Sequence, residues 1–192
     1  INNYVAQFTP QTGEAWHADE MMVKSAGEWR WLWNVIDKET RFLLTSKLTA
    51  LRTVEDAETV FKQAKQTSES LPKTLITDDL ESYKRAFRKE LMTYDNLDAK
   101  HVVAKANEKG ANNLVERLNG TVRERTKVVR GLKKEETASK WLENYRTFYN
   151  FVREHQALGM TPAEKAGIEQ PKGNNKWLGL VEKASENHFQ KD

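Results

Sequence analysis

Three acidic residues stand in unusual local settings, and carboxylates that converge can hold hard divalent cations. Asp19 lies in Trp16-His17-Ala18-Asp19-Glu20, within a stretch that reads as a strand, a setting in which Asp is depleted. Asp78 directly follows the apolar segment of Thr74-Leu75-Ile76-Thr77. In open α/β sheets ligands gather beyond the carboxyl ends of strands, where Asp78 would stand. Glu116 occurs in Asn112-Asn113-Leu114-Val115-Glu116-Arg117-Leu118-Asn119-Gly120. The acids follow one another 59 and then 38 positions apart. Two have a plainer reading: Asp78 also suits a helix N-cap, and Glu116 an ordinary surface acid. Asp79 beside Asp78 offers an alternative second acid. Glu20, next to Asp19, should point to the opposite sheet face and away from any cation.

Helical geometry ties cations to the third acid. At 100° per residue, Asn119, Arg123, Lys127 and Arg130 lie within about 60° of Glu116, while a valine-leucine stripe turns away. One helix face would carry an acid and then three cations along roughly 20 Å. Cations so placed can hold phosphates.

The elements that must position these residues are legible as patterns. Trp29, Trp31 and Trp33 alternate with Arg30 and Leu32, the period of a half-buried strand. Ala15 to Lys24 precedes it across a turn at Ser25-Ala26-Gly27-Glu28, and Phe42 to Leu48 follows across a second turn at Asp37 to Thr40. Val54, Ala57, Phe61 and Ala64 then recur at helical spacing after Thr53, an N-cap with Asp56 at the capping-box distance. Thr74 to Thr77 reads as a short strand, Asp79 to Leu91 as a helix, and His101 to Val103 as another strand. A long helix from about Asn112 buries Val115, Leu118, Val122 and Val129. A second carries the stripe Ala138, Trp141, Tyr145, Phe148 and Val152. Thr161-Pro162-Ala163-Glu164 starts a short helix, with Thr161 as N-cap, and the chain beyond Gln170 reads as a loosely attached tail. A meander followed by alternating helix and strand implies an α/β fold, a mixed five-stranded sheet flanked by helices.

Charge is segregated. Of 31 basic and 28 acidic residues, the stretch 101–134 contributes 9 and 3, leaving slightly acidic flanks. A local basic stretch fits a polyanionic partner, although a solvated helix face explains the same residues. With no Cys among 192 residues, disulfides, thiolate zinc sites and Cys nucleophiles are excluded. No apolar run is long enough for a transmembrane helix and no secretion leader is visible, so a soluble intracellular protein is expected. The four His (His17, His101, His155, His188) show no metal-ligand spacing, and the phosphate-loop, dinucleotide and nucleophile-elbow motifs do not occur. The first residue is Ile1, which leads us to expect a missing N-terminal segment.

Taken together, Trp16-His17-Ala18-Asp19-Glu20, the strand Trp29 to Asp37, Thr77-Asp78 with Tyr83, and Asn112-Asn113 with Glu116, Asn119, Arg123 and Arg125 resemble the acid motifs of DDE-type insertion-sequence transposases. Asn150, His155-Gln156-Ala157-Leu158 and Thr161-Pro162-Ala163-Glu164 are similar to the closing segment of these enzymes and of retroviral-type integrases. The resemblance spans roughly residues 14 to 168. It implies a ribonuclease H-like fold with a helical C-terminal extension, divided as a linker over 1–13, a catalytic domain over 14–158 and a tail over 159–192. It also implies phosphoryl transfer on DNA, cutting transposon ends and joining the 3′-hydroxyl to target DNA, with two Mg²⁺ or Mn²⁺ ions held by Asp19, Asp78 and Glu116. Asn119, Arg123, Lys127 and Arg130 would face the DNA. Further implications are a homodimer or larger assembly, no membrane, and a place in the prokaryotic cytoplasm at the nucleoid. Two other readings stand beside it: an inactive remnant that only binds DNA or dimerises, and a stand-alone nuclease of the same fold. The latter should lack the Thr161-Pro162 segment.

Overall fold

Strand periodicity and turn chemistry together produce the sheet in this computed structural model, which describes residues 1–104, 112–128, 135–171, 173 and 175–189. A short helix α1 (Asn2–Val5) precedes the meander β1 (Ala15–Ser25), β2 (Glu28–Asp37) and β3 (Leu43–Thr49). The two residues between β1 and β2, Ala26 and Gly27, have φ of 52° and 86°, the left-handed pair that matches the twist of a tight hairpin. Then follow α2 (Val54–Thr67), β4 (Thr74–Thr77), α3 (Glu81–Glu90) and β5 (Lys100–Val103). The helices α4 (Asn113–Val128) and α5 (Glu135–Thr147) come next, then a π-helical turn (Phe148–Val152), α6 (Pro162–Lys165) and α7 (Lys176–Phe189). The strands form one sheet in the order β3-β2-β1-β4-β5. The pairs β1–β2 and β2–β3 are antiparallel, whereas β1–β4 and β4–β5 are parallel. The expected mixed five-stranded sheet is therefore present.

Alternation along each strand sends side chains to two cores. Trp16, Ala18, Trp33 and Val35 face α2 and α3, where they pack with Val60, Phe61, Tyr83 and Phe87. Met21, Val23, Leu32 and Ile36 face α4 and α5, against Val115, Leu118, Val122, Leu142, Tyr145 and Tyr149. The N-caps come out as expected. Thr53 and Asp56 close a capping box on α2, and Thr161 with Glu164 closes another on α6.

Three expectations are revised. The buried stripe of α5 and the π-helical turn is Ala138, Leu142, Tyr145 and Tyr149, with Trp141, Phe148 and Val152 only partly covered. Both stripes share Ala138 and Tyr145; Leu142 and Tyr149 flank that line on the side packed into the core, whereas Trp141 and Phe148 flank it on the less covered side. The chain after Gln170 is not loosely attached: Leu180 of α7 is buried in the main core, and Lys176 pairs with Glu164 at 2.8 Å. The third helix begins at Glu81 rather than Asp79, because the Asp78 carboxylate accepts the Leu80 N–H at 3.0 Å and holds the chain in a turn first. Val129, expected on the α4 stripe, lies outside the described residues.

The sheet ends at β3, and an edge strand presents unpaired backbone groups. Asn150, in the π-helical turn, meets them with both ends of its amide. Its Oδ1 accepts the Leu43 N–H at 2.8 Å and its Nδ2 donates to the Leu43 carbonyl at 3.0 Å. Arg146 adds a bond to the Leu44 carbonyl at 3.0 Å. Asn150→Ala would leave two buried backbone groups unpaired, so urea unfolding should show a loss of about 2–4 kcal/mol with an unchanged m-value.

Candidate metal site

Strand register brings the first two acids together. Trp16 pairs with Leu75 and His17 with Ile76 across β1 and β4. Two residues further along both chains stand Asp19 and Asp78, side by side where β4 ends and the strands part. Past that end no described residue pairs with β1 on the β4 side, and this opening also lets Glu20 reach in. Asp19, Glu20 and Asp78 each offer a carboxylate oxygen, and these oxygens lie within 4.8 Å of one another. Asp78, not Asp79, is the member of this group; Asp79 points outward and pairs with Lys84 at 2.7 Å.

Each carboxylate is anchored differently. Asp19 points toward α4, where the Asn119 Nδ2 donates to its Oδ2 at 2.8 Å. Glu20 leaves the opposite sheet face, as alternation requires, and its side chain is only 2% exposed. The Tyr83 hydroxyl donates to its Oε2 at 2.6 Å and Arg52 to its Oε1 at 2.8 Å. Tyr83 is itself buried, edge-on to Trp33 and stacked on Phe61, and Arg52 lies over the Trp31 ring at 4.5 Å. Asp78 is held by the Leu80 N–H.

These positions have an electrostatic consequence. Burial, and then the neighbouring charges of Glu20 and Asp78, push the Asp19 carboxyl up to about 7, against the smaller opposing pull of the Glu20 and Asn119 donors. Burial also raises Glu20, opposed by Tyr83 and Arg52. Burial and the Glu20 charge hold the Tyr83 phenol well above its ordinary value, so it remains a donor. Crowded, partly desolvated carboxylates repel one another, and a divalent cation relieves that repulsion. The donor set is hard oxygen throughout, which suits Mg²⁺ or Mn²⁺.

The third acid is placed by a helix. His17 Nδ1 bonds Asn112 Oδ1 at 2.9 Å and so fastens the start of α4 to β1, while Val115, Leu118 and Val122 pack the helix down. Glu116 is exposed, one turn before Asn119 on the same helix and outside the group of three carboxylates. Arg123 and Lys127 are exposed further along, with Lys127 paired to Glu124 at 2.8 Å. Asn119, expected to face DNA, is instead 4% exposed with both ends of its amide engaged. Arg130 lies outside the described residues. Sequence reasoning set Glu20 aside and missed Arg52, Asn34 and His17. A signal existed for Asn34, a polar residue in Trp31-Leu32-Trp33-Asn34-Val35-Ile36, which raises the same question as Asp19 in its strand.

Solved structures share this architecture. The catalytic core of bovine immunodeficiency virus (BIV) integrase superposes with a TM-score of 0.59 at 16% identity, covering 80% of this chain and 93% of that one. The HTLV-2 integrase catalytic core in complex with magnesium, in its trimeric form, gives 0.56 at 15%, covering 83% and 98%. A chain of the simian T-cell lymphotropic virus intasome, in complex with PP2A regulatory subunit B56 gamma, gives 0.62 at 14% over 86% of this chain. The chain spans 57% of that protein's length. The fold is thus that of the integrase catalytic cores, ribonuclease H-like. The sequence pattern of the DDE domain of the IS240 transposase type matches residues 13–155, and the chain belongs to that family. Curated protein sequences return no match.

The raised Asp19 predicts a pH effect with a definite sign. Its folded value near 7 stands above the ordinary 3.8, so the folded state favours the neutral acid. That contribution is complete below 3.8 and is lost as pH rises toward 7. In chelator, the wild type should lose stability relative to Asp19→Asn across this window, and Mn²⁺ at pH 7.5 should raise the wild-type Tm only. Parallel pH–Tm curves for the two proteins would contradict the assigned burial.

Proposed function

We propose that this domain is the catalytic part of a DNA transposase, cutting DNA at transposon ends and joining the freed 3′-hydroxyl to target DNA. The observation that carries the reading is the convergence of the Asp19 and Asp78 carboxylates just past the paired end of β1 and β4, on the sheet side where α4 bears Glu116. Membership of the DDE domain family and the magnesium complex of the HTLV-2 core support it. Asp19, Asp78 and Glu116 would hold Mg²⁺ or Mn²⁺, two ions in all. Such ions, when bound, activate an attacking water or hydroxyl and stabilise the leaving oxygen of a phosphodiester. Asp19 would serve as the shared ligand because it stands between β4 and α4 and is tied to the helix through Asn119. Glu20, engaged by Tyr83 and Arg52, would hold negative potential behind the site and keep the cation drawn into the sheet end.

DNA would run along α4, where Arg123 and Lys127 present positive charge to the backbone, and Arg130, later in the sequence, would add to that charge. Such contacts orient a duplex and carry no base readout. Self-association, as in the dimeric and trimeric forms of the HTLV-2 core, fits the need to hold two transposon ends. No helix among the described residues is long and apolar enough to cross a membrane; the domain would work at a prokaryotic nucleoid, where its DNA substrate lies.

The test is Mg²⁺- or Mn²⁺-dependent nicking and strand joining on element-end DNA. Asp19→Asn, Asp78→Asn and Glu116→Gln should each lower the rate by about three orders of magnitude or more while circular dichroism is unchanged. Near-wild-type turnover in any one would remove that residue from the ligand set. For the DNA face, Arg123→Ala combined with Lys127→Ala should reduce the slope of log affinity against log salt by about 2. An unaltered slope would mean that DNA takes another course.

A further inference from the structure

We infer that a one-way chain of side-chain donors, from Ser46 through Asn34 to Asn119, sets the orientation of the Asp19 carboxylate. Asn34 and Ser46 are thereby positioning residues for the metal site, a conclusion that rests on the function proposed above for its catalytic consequence. The chain begins on the sheet. Asp19 pairs with Asn34 across β1 and β2, and Asn34 with Ser46 across β2 and β3. Directly paired residues emerge on the same face, so all three side chains stand in one row beneath α4. Ser46 donates its hydroxyl to Asn34 Oδ1 at 2.7 Å, Asn34 Nδ2 donates to Asn119 Oδ1 at 2.7 Å, and Asn119 Nδ2 donates to Asp19 Oδ2 at 2.8 Å.

Its direction follows from chemistry. An ionised carboxylate, the form that holds a cation, only accepts. Asn119 must therefore turn its NH₂ to Asp19 and its oxygen to Asn34. Asn34 must then turn its NH₂ to Asn119, which leaves its oxygen toward Ser46, and the freely rotating hydroxyl completes the row. Turning either amide over sets oxygen against oxygen in a buried place, where an unmade bond is expensive. Asn34 is fully buried and Asn119 nearly so, and water has little access to repair such a mismatch. The row fixes the rotation of the Asp19 carboxyl plane. It also joins β1, β2 and β3 to α4, and so sets the height of Glu116 above the sheet.

The test compares Asn34→Asp, Ser46→Ala, Ser46→Thr and Asn119→Ala in the full chain at pH 8, with folding checked by circular dichroism. Two readouts are taken: hydrogen exchange of the Asn119 side-chain NH₂ by NMR without metal, and Mn²⁺ affinity by calorimetry. An ionised aspartate at position 34 can accept from Ser46 but cannot donate to Asn119, and a neutral one that did donate would give up the acceptor role toward Ser46 on that oxygen. Exchange should quicken about tenfold and Mn²⁺ affinity fall about tenfold. The added negative charge alone would strengthen cation binding, so a fall reports orientation. Ser46→Ala should show about two- to fivefold changes in both readouts, and Ser46→Thr should restore them. In an Asn119→Ala background, Asn34→Asp should have no further effect on Mn²⁺, because the link it acts through is gone. Unchanged Asn119 exchange in Asn34→Asp, or an undiminished Mn²⁺ effect without Asn119, would overturn the inference. A wild type that binds no Mn²⁺ would instead overturn the metal reading, and the exchange measurement would still decide the donor chain.

Discussion

Crowding three carboxylates at the half-buried end of two strands is the constraint around which the rest of the chain is arranged. Desolvation disfavours the ionised forms of Asp19 and Glu20, and neighbouring charges add repulsion. A domain with only marginal net stability must offset this locally. The offsets are visible one by one: Asn119 on Asp19, the Leu80 N–H on Asp78, and the Tyr83 and Arg52 pair on Glu20. What remains uncompensated is shown by the raised Asp19 carboxyl. A divalent cation held by these carboxylates would relieve that remaining repulsion.

The two cores are the means by which these offsets arrive on opposite sides. Tyr83 stands in the aromatic cluster of Trp33 and Phe61 under α2 and α3, and its rigid seat makes its hydroxyl a fixed donor to Glu20. Asn119 comes from the other side, set by the Val115-Leu118-Val122 stripe of α4. A cavity in either core would loosen one donor without touching the acids themselves. Packing far from the carboxylates thus controls their geometry, and the same stripe that buries α4 leaves its charged face to solvent.

How legible this was depended on the range of the interaction. Turns, caps and strand alternation are local, and the hairpin at Ala26-Gly27, the capping box at Thr53 and the N-cap at Thr161 follow from neighbouring residues. The pairing of Asp19 with Asp78 was approachable because both lie in or after strands whose types were clear. Glu20 was set aside on the sound rule that adjacent strand residues face apart. The rule holds for its Cβ but not for its carboxylate, which swings into the gap where β4 stops. Asn119 looked like part of a DNA face because helical angles alone cannot say where the burial boundary falls. That boundary is set by strand β2 and by Asn34, which the helix sequence does not contain.

The closing segment can be understood in the same terms. Its motif residues lie more than thirty positions after the last acid, yet Asn150 caps the backbone of β3 and the Thr161-Glu164 box anchors α6 against the main core. β3 carries Ser46, the outermost donor of the row that ends on Asp19. Edge strands slip or fray when their outer groups are unpaired, and a shift of one residue would send Ser46 to the other face. Holding the register at Leu43 therefore holds the far end of the polar row in place. A signature distant from the chemistry in sequence is, in the fold, two strands away from it.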